Sequence, residues 1–231
     1  MNVISIMPWT DWLGLLLFFG LWMAYAWYAE RGHTGGTTLL ARTNRYRHYW
    51  LVQATYREPR MLDGIIVQGL SSTPSFFSST TIIIIGGVFA LLGVTERANE
   101  LVSELPFAQA TPLAVFDLKV LLLLGIFVYA FFRFTWAMRL NTFVALAIGS
   151  MPPSADFAAA KFDRTLHAQR ASKLVGLAAE AFNSGLRAYY MSFAVIAWFF
   201  SSTAFMAASV LLVVVLYRRE FQSDVLHVLT D

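Results

Sequence analysis

The chain has 231 residues, 58% of them apolar and 13% charged, with a formal net charge of +3 and no cysteine. Soluble domains average about 45–50% apolar and about 25% charged residues, so this composition points into a bilayer. The absence of cysteine excludes disulfides, thiolate metal sites and cysteine nucleophiles, and the length suits a single integral membrane domain over residues 1–231.

The first apolar run spans Trp12–Ala29. Ala24-Tyr25-Ala26 resembles a signal-peptidase site, but no Lys or Arg precedes the run, as a signal peptide requires. A retained membrane helix over residues 12–29 is the expectation. The second run covers Thr80–Val94 and the third Leu118–Met138; each is about long enough to cross a hydrocarbon core. Gly86-Gly87 inside the second run lowers helix propensity, which predicts close contact with a neighbouring helix. The last run, Leu186–Leu216, has thirty-one residues and one formal charge, Arg187. A straight helix of that length would measure about 46 Å, too long for a core of about 30 Å. Either one tilted or kinked helix or two short spans, residues 186–200 and 203–217, would resolve the conflict.

Charge placement favours the two spans. Glu30–Ser79 contains Arg31, Arg42, Arg45, Arg47, Arg57 and Arg60, and Arg139–Arg187 again holds six Lys/Arg, whereas Thr95–Pro112 pairs Arg97 with Glu96, Glu100 and Glu104. Basic loops stay in the cytoplasm, which places the N-terminus outside. Arg218 and Arg219 then require an inside C-terminus and an even number of crossings in the last run. A four-helix count, with the C-terminus outside, is the alternative.

Within the two basic segments, residues 42–70 and 154–184 are expected to form amphipathic helices. The first interleaves arginines with Tyr46, Tyr49, Trp50 and Tyr56, the mixture of a helix lying among headgroups. Nucleic acid attracts similar mixtures, but the adjacent apolar runs already account for both residue types, so no nucleic-acid partner is expected. Pro152-Pro153 ends the preceding helix, Ser154 is a candidate N-cap, and Ala155–Asn183 lacks proline and reads as mostly helical, with Leu174, Ala178 and Phe182 on one face. The predicted fold class is therefore all-α, a multi-span transmembrane helical bundle with amphipathic cytoplasmic helices.

Four segments carry a resemblance: Arg57–Asp63 (REPRMLD), Phe76–Ile82 (FFSSTTI) with Gly86-Gly87, Phe131–Trp136 (FFRFTW) and Asn183–Tyr190 (NSGLRAYY). In this order they resemble the bacterial membrane family called domain of unknown function 599, over about Thr43 to Phe221. The resemblance implies a multi-span protein of the bacterial inner membrane and no particular activity. Ser78 and Arg133 stand where the family pattern suggests alanine or lysine.

Arg133 lies inside an apolar run, where a charge is costly unless it snorkels or serves a path. Lys119, beside Asp117 at the outer end of the same run, is fourteen residues away and so shares a helix face with Arg133. That face suits either a polar path, or subunit interface, or two independent interfacial anchors. Ser78, Ser79, Thr80 and Thr81 form a hydroxyl cluster suited to helix packing or to ion coordination. Arg45, Arg47, Arg57, Arg60, Asn183 and Arg187 are candidates for anions or lipid headgroups. Asp163 and Glu180 read as solvated or paired with Arg164, Arg170 and Lys173.

All four histidines lie outside the apolar runs, which argues against an embedded haem. Metal binding by His48 with Asp63 is open, though the spacing specifies nothing. No catalytic constellation, cofactor motif or metal motif is present, so no cofactor and no enzymatic activity is expected. Two functional readings remain. One is an oligomeric channel- or transporter-like protein with a polar path. The other is a non-catalytic accessory or lipid-binding subunit of a larger membrane complex. The partners implied are membrane lipids and either further copies of the chain or a larger complex.

Overall fold

The apolar runs fold as helices, but the helices extend well beyond them. The structure is a computed structural model that describes residues 7–105, 108 and 111–229, without the side chains of residues 33–35. The helices are α1 (Trp9–Gly35), α2 (Leu39–Ala54), α3 (Met61–Leu92), α4 (Thr95–Ser103), α5 (Leu113–Gly149), α6 (Ser154–Ala158), α7 (Arg164–Trp198), α8 (Ser202–Phe221) and α9 (Asp224–Val228). No strand occurs among the described residues, so the all-α expectation holds. Residues Trp9–Gly32 of α1, the whole of α3 and the whole of α5 are long and apolar enough to cross a membrane. On α3, Phe76, Ile82, Ile83 and Phe89 are exposed, as a lipid-facing helix would have them.

Several boundaries differ from the sequence-based expectation. The helix predicted over residues 42–70 ends at Ala54, where the Thr55 hydroxyl donates to the Val52 carbonyl at 2.6 Å. Met61, Leu62, Ile65 and Ile66 instead open α3, which runs unbroken into the apolar stretch predicted to begin near residue 80. The stretch 155–183 is not one helix: α6 closes at Ala158, Ala160 adopts a left-handed φ of 55°, and α7 restarts at Arg164. Ser154 is not the cap of α6. Pro153 occupies that position without a side-chain cap, and the free Ser154 N–H donates to the Glu58 carboxylate. Asp163 caps the start of α7 by accepting from the Leu166 N–H at 3.1 Å, while Arg164 stacks 3.7 Å over the Tyr56 ring and bonds the Thr55 carbonyl at 3.1 Å. The long last run is broken at residues 199–201, between α7 and α8.

Two compact units emerge. The first comprises Met1–Arg31, Thr80–Phe131 and Leu186–Arg219, and the second Gly32–Ser79, Phe132–Gly185 and Glu220–Asp231. In the first, Trp198 stacks on Phe205 at 4.9 Å and 13°, and Phe205 meets Phe18 at 5.2 Å; all three are fully buried. In the second, Leu51, Val67, Val144, Ile148 and Val175 form one apolar cluster, and Ala137, Leu140, Ala178 and Ala181 another, with Phe182 packed on it. The alanines let backbones approach closely, the usual packing solution between membrane helices. Gly86 and Gly87, predicted to serve that purpose, have no side chain or other helix among the described residues within 4 Å of a Cβ placed on either.

Candidate functional site

Pro74 sits in the interior of α3. Having no N–H, it leaves the carbonyl four residues earlier, that of Leu70, without its helical donor. In an apolar medium an orphaned carbonyl must be satisfied by a neighbouring group. Asn141 of α5, only 4% exposed, donates its Nδ2–H to the Leu70 carbonyl at 3.3 Å. Ser71 bonds the Val67 carbonyl at 2.9 Å and Ser72 the Gly69 carbonyl at 2.7 Å. The missing helical bond is thereby compensated and α3 continues through Pro74.

A cavity of about 200 Å³ opens beside this interruption, within the second unit. Its polar lining is Arg47 of α2, Thr73 of α3, Asn141 of α5 and Asn183 of α7; Leu70, Pro74, Val175, Ala178 and Phe182 give it apolar walls. Arg47 is the one charged lining residue. Its Nη1 donates to the Thr43 hydroxyl at 3.0 Å and to the Asn44 amide oxygen at 2.6 Å, which fixes the plane of the guanidinium. Burial lowers the Arg47 pKa from its ordinary value, since removing solvent disfavours the charged form. No bond to Nε or Nη2 occurs among the described residues. The result is a partly buried cation with one edge of its fork free of protein partners among the described residues.

Arg47 and Asn183 were expected anion candidates, and the structure brings them to one cavity. It gives the others different work. Arg57 pairs with Asp63 at 2.7 Å, and the same fully buried carboxylate accepts from the Trp50 indole at 2.7 Å. Arg60 spends its guanidinium on the carbonyls of Ala54 at 3.0 Å, Met151 at 2.9 Å and Pro152 at 2.6 Å, so it fastens loops and is not a free anion ligand. Arg187 lies 5.9 Å from the Tyr25 ring centroid. Arg45 is exposed. The pair His48 and Asp63 acquires separate partners, His48 lying 3.4 Å from the Ser172 hydroxyl.

The first unit holds a second polar cluster. Lys119, 3% exposed, donates to the Trp198 carbonyl at 2.9 Å and to the Thr111 hydroxyl at 3.4 Å. Asp11, 4% exposed, accepts from the Trp198 indole at 2.7 Å and from the Ser202 hydroxyl. The two charges act on each other across a cavity of about 40 Å³ lined also by Ser201. Asp117 is half-buried on α5. Arg133 belongs to the second unit, and its buried Nε has no hydrogen-bond partner among the described residues. Of the hydroxyl cluster, Thr81 is fully buried and bonds Tyr189 at 2.7 Å, a helix-to-helix contact. Ser78 is buried, Thr80 half-buried and Ser79 exposed.

Neither Thr73 nor Asn141 stood out in the sequence. The signal for both was Pro74: a proline inside an apolar helix implies a polar group on a facing helix, and Asn141 is an amide inside an otherwise apolar stretch. A double-mutant cycle tests this linkage. Asn141→Leu should destabilise the protein by about 1–3 kcal/mol through the unsatisfied Leu70 carbonyl. With Pro74→Ala in the background, which restores an N–H donor, the same substitution should cost clearly less. Equal costs in thermal unfolding of the two backgrounds would contradict the assignment.

Three long apolar helices with exposed apolar faces, and polar side chains turned onto one another, mark a helical membrane protein. The chain belongs to the family described as protein of unknown function DUF599, whose model matches residues 13–225. No curated protein and no solved structure matches the chain.

Proposed function

We propose that this chain is a transporter-like protein of the bacterial inner membrane that recognises a small anionic solute in the Arg47 cavity. The observation that carries the reading is the partly buried guanidinium, with an unspent edge, lining a cavity beside Pro74 of a long apolar helix. Pro74 removes one hydrogen bond from the otherwise continuous α3, and backbone left without its helical partner is tolerated in a membrane only where it is buried in protein or lines a cavity. The polar path expected along Lys119 and Arg133 plays no part in this reading, since the Lys119 ammonium is committed to the Trp198 carbonyl.

Charge-jump recordings on protein reconstituted into liposomes test it. A panel of chloride, phosphate and small organic anions should include at least one that gives a saturable current, strongly reduced in Arg47→Gln. Currents absent for every anion, or unchanged in the variant, would overturn the transport reading. A lipid-binding accessory subunit is the second reading, favoured by Arg31 stacked 3.6 Å from the Trp27 ring and by the exposed Trp27, Tyr46 and Tyr49, an interfacial belt. Tight co-purification of anionic lipid without any current would select it.

The proposed orientation has the N-terminus outside and the C-terminus inside, with two crossings in the last apolar run. The break at residues 199–201 supports that count. Because the chain has no cysteine, single cysteines report without background. An impermeant thiol reagent on intact cells should label a cysteine at Glu100 and spare one at Lys173 or Asp224. Outside labelling at Asp224 would contradict the orientation.

A further inference from the structure

We infer that the Arg47 cavity takes a carboxylate that carries an apolar group, of the size of a short-chain or single-ring organic acid. The inference rests on the reading of this cavity as a solute site and adds the chemical class of the solute.

Three features of the cavity converge on that class. The first is charge. One guanidinium is the only charged lining group, so a monoanion leaves the site neutral. A phosphate monoester carries about −1.5 to −2 near neutral pH, and its surplus charge would have to be buried unpaired. The second is geometry. With Nη1 anchored on Thr43 and Asn44, the edge that remains is formed by Nε–H and Nη2–H. Two parallel N–H groups on one planar edge match the two oxygens of a carboxylate. Thr73 and Asn183 add neutral polar groups to the same lining. The third is the apolar share of the lining, Pro74, Val175, Ala178 and Phe182, against which a second polar group on the solute would lose hydration without replacement. At about 200 Å³, the cavity is smaller than the roughly 300–1,000 Å³ typical of drug-sized ligands, which excludes nucleotides and large cofactors.

Calorimetric binding to the purified full-length protein in mild detergent tests the inference, with benzoate, hexanoate, palmitate, inorganic phosphate and benzamide as probes. Benzoate or hexanoate should bind saturably, with benzamide, the uncharged isostere, at least about tenfold weaker. Arg47→Gln should weaken benzoate binding about ten- to a hundredfold, the worth of a charge-assisted hydrogen-bonded pair. Arg47→Lys should fall between, keeping the charge but losing the fork. Ala179→Leu, on the cavity lining, should block binding without altering the guanidinium. Unfolding temperatures of the unliganded variants establish that each is folded. Displacement of benzoate by palmitate at equal or lower concentration would overturn the size class, since a sixteen-carbon chain exceeds a cavity of about 200 Å³; failure of palmitate to compete would support it. Arg47-dependent binding of phosphate in preference to benzoate would overturn the carboxylate class and leave the solute site standing. Equal binding of benzamide and benzoate would also overturn the class. No Arg47-dependent binding of any probe would overturn both.

Discussion

Replacing Asp11 by alanine should destabilise the protein by about 2–5 kcal/mol, chiefly the cost of leaving two buried donors without their acceptor. Three groups depend on this carboxylate. The Trp198 indole donates to it at 2.7 Å, the Ser202 hydroxyl donates to it, and the Lys119 ammonium, 3% exposed, lies within its field. Without it, two buried donors lose their acceptor and the buried Lys119 ammonium loses a nearby countercharge. The cluster sits where α7 ends and α8 begins, so the loss should release the start of α8. Asp11→Asn keeps an acceptor oxygen and should cost less than alanine, but more than a surface change, because the charge facing Lys119 is gone. Lys119→Met in the Asp11→Ala background should restore part of the stability, since the stranded cation is then absent. Thermal unfolding of the single and double variants measures this coupling; strict additivity would mean that the two charges do not act as a pair.

Gly185→Ala should also be strongly unfavourable. A Cβ at this position would stand 2.5 Å from Phe134 Cε1, 2.8 Å from Cδ1 and 2.9 Å from Cζ. Phe134 cannot yield easily: it is fully buried and packed against Phe77 at 5.3 Å and Phe182 at 5.6 Å. Overpacking of this kind costs about 1–3 kcal/mol. Phe182 also lines the Arg47 cavity, so any shift that relieves the clash should reshape the cavity wall. Phe134→Leu should rescue Gly185→Ala in part by making room. Gly87→Ala, where a Cβ meets no other part of the described chain, should stabilise by up to about 1 kcal/mol through helix propensity. A Gly87→Ala cost equal to that of Gly185→Ala would show that Gly87 packs on something outside the chain.

The contrast between these glycines shows what was legible in the residues alone. Hydropathy located the apolar runs, because membrane helices are selected by length and composition, which sequence displays directly. It did not show that Met61–Leu70 and the run near Thr80 are one helix. Pro74 reads as a stop, and its tolerance depends on Asn141, a residue 67 positions away in sequence. The conspicuous Gly86-Gly87 pair suggested close packing, yet the glycines with a ring against them are the isolated Gly14, Gly32 and Gly185. Arg47 and Asn183 were identifiable as candidates by residue type near apolar runs. Their convergence with Thr73 and Asn141 was not, because four helices must fold before these side chains share a cavity. Asp11 escaped notice for a similar reason: a lone acid near the start of an apolar run looks like an interfacial anchor until Trp198 and Ser202 are found beside it. Arg57 and Arg60 looked like headgroup ligands because a sequence displays charge but not the buried carboxylate and carbonyl partners that consume it.

A bound heavy-atom acid would locate the anion site proposed at Arg47. Crystals of the protein grown with para-bromobenzoate would report the bromine by its anomalous signal. The expected result is a bromine peak against Phe182 and Ala178, with the carboxylate on the Nε and Nη2 edge of Arg47. A cavity without the peak, in crystals where the same acid is found only elsewhere on the protein, would contradict it.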